Sequence, residues 1–382
     1  MRTALLSGAL AVAAAPLLAE LRIRPAEQAL TDNWRRMPVA ARGLTTLGIS
    51  FRPLQAAALE LDPRAALDAL LAYEFDVVRL AAYWDDIERR RGGFDFSGLD
   101  WQVDAALRHD KQVVLCVGAV KAFGYPEYFV PAHHLDEPIR EHTLVEPRSH
   151  AALLDASLAF VTRIVERYRT CPNIIAWQVE HEAVDPLGLE HSWRLSTAFV
   201  EEEMVAVRSA DPVRPLLLNG FLPSSMVVAL QQRWRTRGQD DSLGLATRLA
   251  AIVGVDYYPR HAVLGVGPIT AYLDGHLSPV PKARFTRVLR QSLARQQRVF
   301  ITEGQAEPWE TATTPPSPPL SGMSSCLPEH LIGNYNHCVR WSRAVGVTLG
   351  AYLFWGAEYW LRRQRSGDPR YLNAFARVLD DA

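Results

Sequence analysis

Short apolar runs alternate with amphipathic segments about eight times along this chain, and that alternation limits its fold more than any other feature. The runs that read as strands are 44–51, 75–80, 112–118, 173–180, 214–219, 251–255, 298–303 and 347–355. Between them, helical periodicity marks 65–73, 100–109, 151–169, 193–210, 227–234, 283–297 and 329–344. Apolar runs on this scale are strands buried on both faces, and helices of this length are the crossovers that parallel strands need. Repeated eight times, the pattern predicts an α/β fold, a (β/α)8 or TIM barrel, as a single unit over 44–382, with 20–43 as a connecting segment. The length of 382 residues suits such a barrel with insertions. A Pro/Ser/Thr-rich loop is expected at 311–321.

Polar side chains gather at the C-terminal ends of the predicted strands. They are Arg79, Lys121, Glu180 and Glu182, Asn219, Tyr257, Glu303 and Trp355. In a parallel barrel all of these ends lie on one face, where such folds carry their active sites. The densest stretch is Pro172 to Pro186, where Ile174–Trp177 leads into Glu180-His181-Glu182. On an unbroken strand Glu180 and Glu182 would share a face. A second apolar run, Val299-Phe-Ile-Thr, ends in Glu303. Two strands ending in Glu place two carboxyl groups across one pocket. Hydrolysis of a glycosidic bond needs such a pair, one protonated and one ionised, so their surroundings must hold their pKa values apart. Arg79 is the candidate cation for the ionised member, and Tyr257 the candidate hydroxyl donor to it. Aromatic residues are plentiful, and Trp84, Trp309, Trp355 and Trp360 are candidates for stacking on sugar faces, with core packing as the alternative.

Other chemistries find little support. The net charge of -1 offers no basic surface for nucleic acid. There is no glycine-rich phosphate loop and no strained serine elbow. Cys116, Cys171, Cys326 and Cys338 form no CxxC pair, and they read as free or structural thiols, with a disulfide open to an exported protein. His133-His134 and the lone His181 do not complete a metal pattern along the chain, so no metal and no cofactor is expected. Residues 4–19 are uncharged and follow a short basic start, so 1–19 reads as a signal peptide or an N-terminal membrane anchor. That reading implies a secreted, periplasmic or outward-facing anchored protein; a cytoplasmic protein with an apolar N-terminal helix is its alternative.

With these residues assembled, the chain resembles the retaining glycoside hydrolases built on a (β/α)8 barrel, the cellulase and β-galactosidase superfamily. Those enzymes end strand four in Trp-x-x-x-Asn-Glu, and Trp177-Gln-Val-Glu-His181-Glu182 stands in that register. Their strand-seven Ile/Val-Thr-Glu is matched by Ile301-Thr302-Glu303. Arg79, Tyr257 and Trp355 match the family's strand-two Arg, strand-six Tyr and strand-eight Trp. The resemblance runs over about 44–360. It implies Glu182 as acid/base and Glu303 as nucleophile, with Arg79, His181, Asn219, Tyr257, Trp355 and Trp309 around a glycoside, oligosaccharide or polysaccharide. Glu180 remains a rival acid or a carboxylate supporting the site from behind. Glu307 and Glu358 read as solvated loop charges, with binding of sugar hydroxyls as the alternative. His181 replaces the family's Asn, which binds the sugar 2-hydroxyl, and this leaves a glycan-binding barrel without catalysis as the alternative function.

Overall fold

The computed structural model describes residues 20–124, 126–135, 137–185, 191–236, 239–312, 318 and 320–382. The proposed leader 1–19 and most of the loop expected at 311–321 lie outside them.

Eight parallel strands close into a barrel: β1 (Thr46–Ser50), β2 (Val77–Ala81), β3 (Gln112–Cys116), β4 (Ile174–Gln178), β5 (Leu216–Phe221), β6 (Ile252–Tyr257), β7 (Arg298–Gln305) and β8 (Ala351–Trp355). Each pairs with its neighbours in chain order, and β8 pairs with β1 to complete the ring. The expected strands are all present. Expected helices appear as Pro63–Leu71, Ser97–Arg108, Ala151–Tyr168, Thr197–Ala210, Met226–Arg235, Pro279–Ala294 and Pro328–Arg343. Their starts follow local chemistry. Asp62 accepts from the Ala65 amide at 2.8 Å with Pro63 at the first helical position, and Ser196 accepts from the Phe199 amide.

Strand pleating sorts the side chains into layers. Val77, Val114, Ala176, Leu217, Ile252, Phe300, Ala351 and Leu353 fill the barrel interior. Their neighbours one residue along, such as Val78, Leu115, Trp177, Leu218 and Ile301, face the helices and build the main core. A third cluster, which includes Ala81, Phe123, Phe221, Tyr258 and Trp355, rings the barrel's C-terminal mouth. The inward positions therefore run from apolar at depth to polar and aromatic at the mouth.

The larger unexpected parts of the fold are a helix, a hairpin and a C-terminal helix pair. Helix Ser242–Leu249 is the one that packs on β5 and β6, while Met226–Arg235 borders the mouth. Residues 260–274 form a hairpin, Arg260–Val266 with Ile269–Asp274, which takes Leu21–Pro25 as a third antiparallel strand. After β8, helices Ala357–Arg365 and Arg370–Asp381 pack against the barrel. Among the described residues no helix is long and apolar enough to cross a membrane.

Candidate active site

The two stretches that carry the predicted acids both depart from regular strand geometry. β4 ends at Gln178, and Glu180 and Glu182 then take left-handed backbone angles, φ 57° and 44°. An L-residue pays for that conformation, and such strain gathers at functional sites. The two kinks break the alternation that would have put both side chains on one face. Glu180 is fully buried and turned under the loop after β3, where its carboxylate accepts from the amides of Val120 and Lys121. It lies beside Glu203, which burial and the Glu180 charge push well above the usual carboxyl range. Glu180 does not line the pocket, and both its carboxylate oxygens are taken up by the Val120 and Lys121 amides. Gly118 makes room for it, because a Cβ there would lie 2.2 Å from the Glu180 amide nitrogen.

Glu182 is half-buried and lines the pocket. Its pKa is raised well above the ordinary value, first by burial, then by the charges of Asp256 and Asp185, a hydrogen bond with Asp256, and the charge of Glu303. Each of these causes favours the protonated form, the one a general acid needs.

Glu303 reaches the interior by a different device. Thr302 points inward, so strict alternation would send Glu303 out to the helices. The ladder between β7 and β8 shifts register between Ile301 and Gly304, and this irregularity re-aims Glu303 into the barrel. Its Oε1 accepts from Arg79 Nη1 at 2.7 Å and its Oε2 from the Tyr258 hydroxyl at 2.6 Å. A guanidinium and a hydroxyl donor are partners suited to a carboxylate anion. Arg79 is fully buried. It also donates to Gln178 Oε1 at 2.7 Å, and its guanidinium lies 3.9 Å from the Phe123 ring centre.

The hydroxyl expected from Tyr257 therefore comes from Tyr258. Ile252, Gly254 and Asp256 of β6 face the interior, so Tyr257 faces out, where its ring meets His276 and Trp341 edge-on. The same alternation brings in Asp256, which was not anticipated. Asp256 is fully buried and accepts from Thr302 Oγ1 at 2.6 Å and Asn219 Nδ2 at 2.5 Å. Burial, then the Glu303 charge, raise its pKa to about 8, against the lowering effect of Arg79.

Asn219 sits behind the pocket. Its Oδ1 accepts from Gln178 Nε2 and the Glu182 amide, so its Nδ2 serves Asp256 and His181 Nδ1. His181 Nδ1 faces two donors, Asn219 Nδ2 at 2.9 Å and Arg79 Nη2 at 3.3 Å. It is therefore an acceptor, and the ring proton is on Nε2. Burial, then the charges of Arg79 and Lys121, hold the imidazole well below its ordinary pKa, so it is neutral.

The pocket above these groups measures about 190 Å³ and is lined by His181, Glu182, Tyr258, Glu303, Trp309 and Trp355 among others. Trp309 is stacked on His261 with ring centres 4.5 Å apart. His261, Phe221, Glu127 and Gln231 also line it and were not anticipated. Trp84 and Trp360 are core residues. Trp84 stacks on Phe160, and the Trp360 indole donates to the Ala306 carbonyl. Glu307 and Glu358 are not solvated. Both are buried on Arg52, whose guanidinium donates to Glu307 at 2.8 and 3.0 Å and to Glu358 at 2.7 and 3.1 Å. Arg52 in turn lies 4.1 Å from the Trp355 ring centre. All four cysteines are free thiols.

Residues 64–201 match the model of glycoside hydrolase family 42, described as beta-galactosidase. The chain is similar to the barrel glycoside hydrolases. The glycoside hydrolase match covers β2 to β4, with Arg79, His181 and Glu182, and stops before Glu303. A beta-galactosidase, Bga, from Halorubrum lacusprofundi is 32% identical over 135 residues, 32% of this chain and 18% of that protein, so less than a fifth of that relative's length is matched. Xylanase 10B from Thermotoga maritima superposes with a TM-score of 0.52 at 15% identity, over 90% of this chain and 98% of that one. A GH5_18 protein from Streptomyces cattleya, solved in complex with GlcNAc, gives 0.53 at 15% identity, over 88% and 81%. These two similarities establish the shared (β/α)8 barrel fold.

Proposed function

We propose that the protein is a retaining β-glycosidase, with β-galactosides the first substrates to test. Glu303 is the nucleophile and Glu182 the acid/base. The observation that carries this reading is the opposite treatment of two carboxyl groups at one pocket. Glu303 is held by Arg79 and Tyr258, whereas Glu182 is held protonated by burial and by Asp256.

In the first step a Glu303 oxygen forms a bond to the anomeric carbon as the glycosidic bond breaks, and the Glu182 proton passes to the leaving oxygen. In the second step the Glu182 carboxylate takes a proton from water, water's oxygen bonds to the anomeric carbon, and Glu303 leaves as the carboxylate. The neutral His181 offers Nε2–H to a sugar hydroxyl, so replacing the family's Asn retains one donor. Trp309 and Trp355 offer aromatic faces at the pocket wall. The family match and the Halorubrum relative favour galactose as the sugar.

The test is a panel of aryl β-glycosides (galacto, gluco, manno, xylo, fuco) given to the wild type and to Glu303→Ala and Glu182→Ala. Glu303→Ala is expected to lose turnover, and azide to restore it with an α-glycosyl azide as product. Glu182→Ala is expected to lose about 10²–10⁴-fold on poor leaving groups. Equal turnover in wild type and Glu303→Ala would overturn the mechanism. Binding of galactosides without turnover would favour a non-catalytic glycan binder.

A further inference from the structure

Outside the pocket, one cluster of metal-ligating side chains is built by two loops at the barrel mouth. His133 and His134 occupy the short 3-10 turn Ala132–His134, in the loop after β3. Glu88 follows the turn Trp84–Ile87, in the loop after β2, and is buried. Both imidazoles present Nε2 to the one carboxylate. His134 Nε2 is 2.9 Å from Oε2, and His133 Nε2 is 3.6 Å from Oε1. One donor atom from each of the three residues lies within 4.8 Å of the others. None of the three lines the active-site pocket.

Two further observations point to a ligand. First, the buried His133 Nε2 has no hydrogen-bond partner among the described residues. A ring nitrogen held 3.6 Å from a carboxylate, sealed from water and unpaired, lacks the contact that would offset its burial. Second, the carboxylate is oriented from behind. The Trp84 indole donates to Oε2 at 2.7 Å and the Gly92 amide to Oε1 at 2.7 Å. Carboxylates that ligate metals are fixed by such outer hydrogen bonds. Bond lengths of about 2.0–2.1 Å in a tetrahedral site put neighbouring donor atoms about 3.3 Å apart. The imidazole–carboxylate distances, 2.9 Å to Oε2 and 3.6 Å to Oε1, lie within about 0.4 Å of that spacing, each to a different oxygen.

We propose that Glu88, His133 and His134 form a site for a divalent ion of the zinc class, with water as its fourth ligand, which staples the loop after β2 to the loop after β3. Two imidazoles and one carboxylate are a borderline donor set that suits zinc over magnesium or calcium. The two histidine side chains remain 25% and 15% exposed, so the cluster lies close to the surface although His133 Nε2 itself is covered. Along the chain the histidine pair lacks a third ligand; the fold supplies it from a residue in a different loop.

The test is zinc titration, by calorimetry, of protein stripped with chelator and dialysed, followed by cobalt titration read by visible absorption. The expected result is one zinc per chain and a tetrahedral cobalt spectrum, with zinc affinity at least tenfold weaker in His133→Gln and in Glu88→Gln. Glu88→Gln removes a buried acceptor and can unfold the loop, so His133→Gln carries the test alone if that happens; its Nε2 has no hydrogen bond to lose. Absence of a one-equivalent zinc event, or equal zinc affinity in wild type and His133→Gln, would overturn the site. Turnover of aryl glycosides does not enter either outcome.

Discussion

Asp256 is the residue on which the proton balance of the pocket turns. Its charge and its hydrogen bond both raise the pKa of Glu182. That charge is present only once Asp256 has lost its own proton, near pH 8, and from there it delays the ionisation of Glu182. Asp256→Asn removes it and is expected to move the basic limb of kcat/KM to lower pH. An unmoved limb would mean that Asp256 does not govern the acid. The same residue has a signature in stability. Its carboxyl holds a proton to about pH 8 in the fold, against about 3.9 in an unfolded chain. Between those values the native state binds the extra proton, so this group's contribution to stability falls as pH rises. Relative to wild type, Asp256→Asn should therefore gain melting temperature steadily from about pH 4 to pH 8. Asp256 was legible in the sequence, because it shares a strand face with Ile252 and Gly254; the same period sends Tyr257 to the outer face. Glu303 was legible only through its Ile-Thr-Glu pattern, since a register shift overrides the pleat there. The separate fates of Glu180 and Glu182 depend on two left-handed residues that no side-chain pattern announces.

Among the elements, Arg52 ties three strand ends together. It follows β1, and its partners Glu307 and Glu358 follow β7 and β8. Arg52→Met leaves two carboxylates buried without their cation, and the expected cost is about 3–5 kcal/mol by urea denaturation. Adding Glu358→Gln to that variant should return part of the loss. A cost below about 1 kcal/mol would mean that the two carboxylates reach water. The strands themselves were legible, because apolar runs bounded by polar loops leave few alternatives. The helix Ser242–Leu249 was not, although Asp241, which accepts from the Gly244 amide at 2.7 Å, is an N-cap visible in the sequence. The hairpin at 260–274 had a local signal, the Gly267-Pro268 turn between its two strands; its third strand, Leu21–Pro25, had none, because it comes from the far end of the chain. Arg52 escaped for a related reason. Nothing local in the sequence says that a cation will meet acids about 250 and 300 residues away.

For the whole molecule, closure is the feature with the longest reach. β8 lies between β7 and β1, so the ring has no edge only when all eight strands are present. A version ending at residue 345, without β8 and the two helices after it, is expected to show no cooperative thermal transition and to bind a hydrophobic dye. A sharp transition in that version would show that seven strands suffice. Closure also sets a clock on biosynthesis. Thr46 donates its hydroxyl proton to the carbonyl of Gly350, 304 residues later. At about 5–20 residues per second, roughly 15–60 s separate the synthesis of those two partners. Throughout that interval β1 has one unpaired flank, a template for any passing strand. The nascent protein must be shielded for most of its own translation, and slower codons late in the message would lengthen the exposure rather than help the domain fold.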